Sequence, residues 1–281
     1  MRTLIIIACA TFASTAAGAD LAGTDFPDDP PPRPPTVPYA MPSLDDIPNT
    51  PVGKLIRQGR RIVMNTRAQA GRYVGNGLAC RNCHLDGGRV PYAAPFVGLT
   101  RIFPEYRPRR GDIETLEERL NDCFVRSMNG RPLPSGSREM MSLLAYIEWL
   151  SQNVPVGSEV EGRGFQEFAA PSAPDAERGK LLYRTQCAKC HGQDGRGVRI
   201  EAGGYAFPPL WGPESFNLGA GMARMSVAAA FIKTNMPIGI GRTLSDQDAY
   251  DIAAYFTTRS RPGFAHAGRD WPNGDRPADA R

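Results

Sequence analysis

The sequence predicts an all-α protein made of two tandem helical domains, and three observations predict it. The pattern Cys-x-x-Cys-His occurs twice, as Cys80-Arg81-Asn82-Cys83-His84 and Cys187-Ala188-Lys189-Cys190-His191. A helix-like segment precedes each copy (Gly53 to Asn65, Ala176 to Thr185), and an amphipathic helix with Ala-Tyr and a large apolar residue follows (Ala145-Tyr146-Ile147, Ala254-Tyr255-Phe256). The first motif cysteine lies 66 residues before the tyrosine in the first block and 68 in the second. Matched spacing around matched motifs is what duplication of one unit leaves behind.

Taken in chain order, residues 1–19 read as a secretory signal peptide. Arg2 leads into the apolar stretch Leu4 to Phe12, and small residues end at Ala17-Gly18-Ala19, the order of charge, short apolar core and cleavage site used in export. Cleavage after Ala19 and a periplasmic location are the expectation. Residues 20–52 form a proline-rich extension containing Pro30-Pro31-Pro32, expected to be extended and poorly packed. Residues 53–153 make the first domain, 154–174 a linker rich in Gly, Glu, Ser, Ala and Pro, 175–262 the second domain, and 263–281 a polar tail. No apolar run reaches the length of a membrane span, so the reading is not that of an integral membrane protein. The formal charge of +4 falls to +3 without Arg2, which suits an anionic substrate or acidic partner. No basic run with interleaved aromatics points to nucleic acid.

The repeated motif carries the chemistry. Cys-x-x-Cys-His is the signature of c-type haem attachment: two thiols three positions apart add across the haem vinyl groups, and the adjacent imidazole reaches the iron from one side. A four-cysteine zinc site would leave His84 and His191 unexplained, and a disulfide would not explain the matched position of both motifs in two repeated blocks. Cys80, Cys83, Cys187 and Cys190 are therefore expected to hold two covalent haem c groups, with His84 and His191 as proximal ligands. Each domain then reads as a class I cytochrome c-like fold wrapped around one haem.

Distal ligands are harder to assign. The remaining histidine, His266, lies in the polar tail, so sulfur ligands come into consideration. In the second block Met236 sits 19 residues before Tyr255, precedes Pro237, and follows an apolar helix from Ser226 to Thr234, which is where small cytochromes c place an axial methionine. Met222 and Met225 are rivals that suit packing beneath that helix. In the first block Met128 lies 18 residues before Tyr146 and mirrors Met236, but Cys123 is left unpaired once four cysteines hold haem and Cys9 leaves with the signal. Ile113, Leu116, Leu120 and Phe124 fall at helical spacing and predict an amphipathic helix over Asp112 to Arg126. On it Arg119 and Arg126 flank Cys123 at i−4 and i+3, where they favour a thiolate and attract an anion. Spacing leaves Cys123 and Met128 both open.

Several stretches resemble the dihaem thiosulfate dehydrogenases. They are Gly75-Asn76-Gly77-Leu78, Cys80 to Leu85, Cys123-Phe124-Val125-Arg126-Ser127-Met128-Asn129-Gly130, Pro208 to Gly212, Gly219 to Met222 and Asn235-Met236-Pro237. The resemblance runs from about Pro38 to Pro262, and the segment around Cys123 is its specific part. It implies that two thiosulfates are joined into tetrathionate and two electrons are passed to an acceptor. It implies that Cys123 is the axial ligand of a catalytic first haem, and that Arg109 and Arg119 are the basic residues beside it. In that family a lysine next to the methionine also serves the second haem; here Asn235 holds that position, so Met236 stands alone and a ligand exchange is unavailable.

The mechanism this implies has thiosulfate beside Cys123, held by Arg109, Arg119 and Arg126. Cys123 forms a sulfur adduct that a second thiosulfate attacks, and electrons leave through the domain of His191 and Met236, whose Met/His ligation raises the potential. The partner is then a soluble or membrane-bound redox protein such as a cytochrome c. Two other readings remain at this stage: tetrathionate reduction by the same site, and a non-catalytic dihaem electron carrier in which Met128 is the ligand and Cys123 a buried bystander.

Overall fold

The computed structural model describes residues 34–169, 172–201 and 203–281. The expected signal peptide and residues 20–33 of the proline-rich extension lie outside the described residues, as do residues 170 and 171 of the linker.

Two helix pairs organise the molecule. In the first domain the opening helix Pro51–Met64 crosses the closing helix Arg138–Ser151. The opening helix starts cleanly because the Thr50 side chain accepts the Gly53 N–H and Pro51 occupies the first turn, where a missing N–H costs nothing. At the crossing a Cβ on Gly59 would fall 2.0 Å from the Ser142 carbonyl oxygen. In the second domain the helix Ala176–Leu182 crosses Asp246–Thr257, and a Cβ on Gly179 would fall 1.8 Å from the Asp251 carbonyl oxygen. Ser142 and Asp251 each lie four residues before the repeated tyrosine, Tyr146 or Tyr255. The duplication is thus realised as the same glycine-to-backbone crossing in both halves.

Each crossing seeds its own core. Ile62, Val63, Met140, Leu143, Tyr146, Ile147 and Leu150 are at most 1% exposed in the first. Tyr183, Ala228, Ala229, Ile232, Ile252 and Phe256 lead the second. The helix Met225–Asn235 supplies the alanines, and its small, nearly all-round apolar face suits burial between Asp246–Thr257 and the rest of that domain. Short pairings stitch the loops: Glu105–Arg107 with Asp112–Glu114, and Val198–Arg199 with Tyr205–Phe207, both antiparallel.

Three expectations need correction. The helix carrying Cys123 runs Leu116–Arg126, not from Asp112: Asp112–Glu114 is a strand paired with Glu105–Arg107, and Ile113 is exposed. Thr115 accepts the Glu118 N–H while Glu118 accepts the Thr115 N–H, a capping box that starts the helix four residues later than apolar spacing suggests. The proline-rich extension is packed where described: Thr36–Val37 pairs in parallel with Glu159–Val160, and Ile47 is buried, its carbonyl held by Arg57 at 2.7 Å. The linker therefore contributes a strand to the first domain, and the segment 263–281 is tied to both domains by contacts described below. Among the described residues no helix is long and apolar enough to cross a membrane.

Candidate active site

The first Cys-x-x-Cys-His turn is held from beneath by a residue outside the motif. Thr66, fully buried, follows the end of the opening helix. Its hydroxyl donates to the Ile62 carbonyl at 2.8 Å, accepts the Cys80 N–H at 3.1 Å, and lies 3.4 Å from the Cys80 sulfur. Asn82 accepts the Ala79 N–H at 2.8 Å and closes the short helical turn Cys80–Asn82. Burial pushes the Cys80 and Cys83 thiols up to about 12, and the nearby Cys123 sulfur adds to both shifts.

His84 is oriented by a strained backbone. Its Nδ1–H donates to the Ala94 carbonyl at 2.6 Å, leaving Nε2 free to ligate a metal. Tyr92 (φ 60) and Ala94 (φ 47) both occupy the left-handed region, which costs a non-glycine residue about 1–2 kcal/mol. Linker carbonyls hold them there: Tyr92 N–H donates to Gly162 at 2.7 Å and Ala94 N–H to Gly164 at 2.8 Å. Burial pushes the His84 imidazole down to about 4, against its hydrogen bond to Ala94, and the Arg119 charge acts in the same downward direction. The ring is therefore neutral at pH 7, the form that ligates iron.

Cys123 lies on the half-exposed flank of its helix, whose other face buries Leu116, Leu120 and Phe124. Arg119 reaches one turn along and donates from Nη1 to the Cys123 sulfur at 3.6 Å. The Cys123 sulfur, ahead of Glu114 and Asp122, raises the Arg119 guanidinium above its ordinary value despite burial. Met128 is placed differently: it is 2% exposed within the first domain's hydrophobic core, and its N–H donates to the Cys123 carbonyl at 3.1 Å. The structure thus gathers Cys80, Cys83, His84, Cys123 and Arg119 at one place.

Arg109 and Arg126 stand together, and both are engaged by other groups. Arg126 makes paired hydrogen bonds of 2.8 and 2.8 Å to the Asp270 carboxylate and lies 3.0 Å from Asp122. Arg109 donates to the Gly219 carbonyl at 2.6 Å and stands 3.8 Å from Asp270. Burial, then the charges of Arg126 and Arg119, push Arg109 down to about 10, with Asp270 opposing. Pattern reading missed Asp270, which sits in a polar stretch with no periodicity to mark it.

The second motif repeats the plan. His191 Nδ1–H donates to the Pro208 carbonyl at 2.8 Å, and burial lowers its proton affinity. Burial pushes the Cys187 thiol up to about 11. Met222, Met225 and Met236 all pack against the second core, with Met236 at the end of the helix Met225–Asn235. Asn235, 8% exposed, donates from Nδ2 to the Tyr92 carbonyl at 3.1 Å and the Phe231 carbonyl at 3.2 Å. His266 is exposed in the segment 263–281.

These residues fit covalently attached haem. Both imidazoles are turned by a backbone carbonyl so that Nε2 is free, and no described cysteine forms a disulfide. Among the described residues no cluster of three or more His, Cys, Asp or Glu is arranged to hold a metal ion by itself.

The domains meet through asparagines. Asn217 donates from Nδ2 to the Val125 carbonyl at 2.8 Å, and Asn129 donates to the Ser215 carbonyl at 2.8 Å. Asn76 donates to the carbonyls of Ser127 at 3.0 Å and Ser215 at 3.4 Å. The loop 215–219 of the second domain is thereby keyed into the end of the Cys123 helix.

Comparison with known proteins bears on both halves. Residues 72–156 match the family model described as SoxA/TsdA, cytochrome c domain, and residues 174–256 match that described as Cytochrome C oxidase, cbb3-type, subunit III. The chain is 47% identical over 247 residues to the thiosulfate dehydrogenase of Allochromatium vinosum, covering 86% of this chain and 90% of that one. It is 42% identical over 268 residues to the thiosulfate dehydrogenase of Psychrobacter arcticus, covering 95% and 79%. The solved thiosulfate dehydrogenase (TsdBA) of Marichromatium purpuratum, in its as-isolated form, aligns with a TM-score of 0.80 at 34% identity. That alignment covers 86% of this chain and 54% of the solved one, so this chain spans about half the length of that protein.

Proposed function

The chain belongs to the thiosulfate dehydrogenase family of cytochromes c, and we propose that it joins two thiosulfate ions into one tetrathionate. The two electrons released pass to a redox partner such as a cytochrome c. Two covalent haems would be held by Cys80 and Cys83 with His84 and Cys123, and by Cys187 and Cys190 with His191 and Met236. When bound, the haems supply one-electron acceptance, one electron each, for the pair that the sulfur chemistry releases. The export signal read in residues 1–19 supports a periplasmic setting.

The contact between Arg119 and the Cys123 sulfur at 3.6 Å, beside the first motif, carries this reading. Two dianions about 4 Å apart repel by on the order of 16 kcal/mol at an effective dielectric of 20, taking four times the unit-charge value. Fixed cations must offset that, and Arg119, Arg109 and Arg126 are the ones this site offers. Cys123 as thiolate forms a bond to the outer sulfur of one thiosulfate, and this oxidation releases two electrons. The outer sulfur of a second thiosulfate then attacks the cysteine-bound sulfur, tetrathionate forms, and Cys123 leaves again as thiolate, so charge and atoms balance without a proton. Asn235, hydrogen-bonded to the Tyr92 and Phe231 carbonyls, stands where a lysine would otherwise offer a second ligand, and Met236 beside it is the sulfur we assign to the second haem.

A steady-state assay of the dihaem protein, run with thiosulfate and with tetrathionate, tests the reading. The expected result is one tetrathionate and two electrons for every two thiosulfates consumed. A protein carrying both haems that neither forms tetrathionate from thiosulfate nor reduces tetrathionate would instead be an electron carrier.

A further inference from the structure

The segment 263–281 makes contacts that the reaction chemistry above does not use. Its middle is fastened to the first domain: the Trp271 N–H donates to the Arg109 carbonyl at 2.8 Å, and Asn273 donates to the Tyr106 hydroxyl at 3.0 Å. Its end is fastened to the second: the Asp279 carboxylate accepts the Ser226 N–H at 2.8 Å and Arg224 Nε at 2.9 Å, at the start of the helix Met225–Asn235. Phe264 lies under the Arg126 guanidinium at 4.4 Å and Trp271 under that of Arg109 at 4.6 Å. Between those two aromatics stands Asp270, whose side chain is 7% exposed.

Position and chemistry together give Asp270 a role. A carboxylate gripped by both outer nitrogens of Arg126 and close to Arg109 occupies the same donors that an oxyanion uses. Arg109 feels the charges of both Arg119 and Arg126, and the acidic groups facing Arg109 and Arg126 are Asp122 and Asp270. Asp122 belongs to the Cys123 helix itself, whereas Asp270 arrives from a separate strap, so its charge is an addition to the site. We propose that Asp270 sets anion affinity, acting as an internal anion that balances the arginine cluster and competes with thiosulfate for it. The inference rests on the substrate placement proposed above. Its consequence is moderate affinity: a site with less internal balance would hold both substrate and the tetrathionate dianion more tightly and release product more slowly.

The test is anion binding to the oxidised dihaem protein, read from the absorption change of the haems on titration with thiosulfate and, separately, with sulfate as an inert dianion. Asp270→Asn keeps the shape and removes the charge. Expected are about tenfold lower Kd for both anions, a steeper salt dependence, and a lower KM for thiosulfate with kcat unchanged or reduced. Asp270→Glu keeps the charge and should restore Kd towards the wild-type value. If Asp270→Asn does not fold with both haems, Asp270→Ser carries the same expectation. An unchanged or raised Kd for both anions in a folded neutral variant would overturn the inference. Wild-type protein without thiosulfate turnover would overturn the functional reading instead, while the sulfate titration would still decide the charge effect.

Discussion

At the scale of single residues, function rests on side chains whose roles are set by a neighbour. Arg119 is matched to Cys123 by one helical turn, and replacing it removes a fixed cation where negative charge gathers. Arg119→Ala is expected to lower kcat/KM for thiosulfate by about 10²–10³ with both haems retained, checked by steady-state kinetics and haem stoichiometry. Thr66 is a second such residue. Thr66→Val leaves the buried Cys80 N–H without its acceptor and should cost about 1–3 kcal/mol, visible as a lower thermal midpoint. Cys123 was legible as an unpaired cysteine between arginines, but spacing could not separate it from Met128. Packing places the two differently: Met128 is enclosed in the core, while Cys123 stands on the flank beside the motif cysteines.

Helices and strands explain what the duplication means physically. Gly59 and Gly179 bring two helix backbones into contact, and a methyl group at either would overlap a carbonyl oxygen. Gly59→Ala and Gly179→Ala should each destabilise their own domain by about 1–3 kcal/mol, which chemical denaturation followed at each haem would resolve. The second crossing also has an acid-sensitive clasp. Arg178 bonds both Asp248 and Asp251, and Asp175 N–H and Gln247 add to Asp251. Burial alone would raise Asp251; these bonds outweigh it and hold its carboxyl below the ordinary value of 3.8, and Asp248 is lowered likewise. A carboxylate depressed on folding stabilises above its unfolded pKa, and that stability is lost as pH falls through the lower folded value. Acid unfolding of the second domain should thus steepen below about pH 4, and Asp251→Asn should flatten that dependence in a pH series of thermal midpoints. The helices read over Gly53 to Asn65 and Ser226 to Thr234 are present and run Pro51–Met64 and Met225–Asn235. The strand at 112–114 does not follow from apolar spacing, because only the Thr115–Glu118 capping box sets where that helix begins.

Across the whole molecule, the two halves are joined by backbone recognition and by Leu78 of the first domain, which is buried in the second core. Asn76, Asn129 and Asn217 each give a side-chain amide to a carbonyl of the other domain, and Asn235 reaches the Tyr92 carbonyl two residues from the acceptor of His84. Asn217→Ala removes both its bond to Val125 and its support of the Gly219 N–H. Faster amide exchange at 215–219 and 125–129, with unchanged exchange in the two helix crossings, is the expected outcome. The two-domain plan could be read from the repeated motif, its spacing and the closing tyrosines. The packing of the linker and of the segment 263–281 could not. Those stretches bind through carbonyls, single carboxylates and arginine–aromatic stacking, none of which leaves a periodic apolar trace.

The proposed catalysis turns on Cys123. The decisive measurement is tetrathionate formation by Cys123→Ala protein shown to carry both haems, with the electron paramagnetic resonance spectrum of the oxidised state recorded on the same sample. The expected result is loss of turnover by about 10³-fold or more together with loss of a thiolate-ligated low-spin signal, as removal of a nucleophile and ligand requires. Tetrathionate formed at the normal rate would contradict the catalytic role, and an unchanged thiolate signal would contradict the ligation.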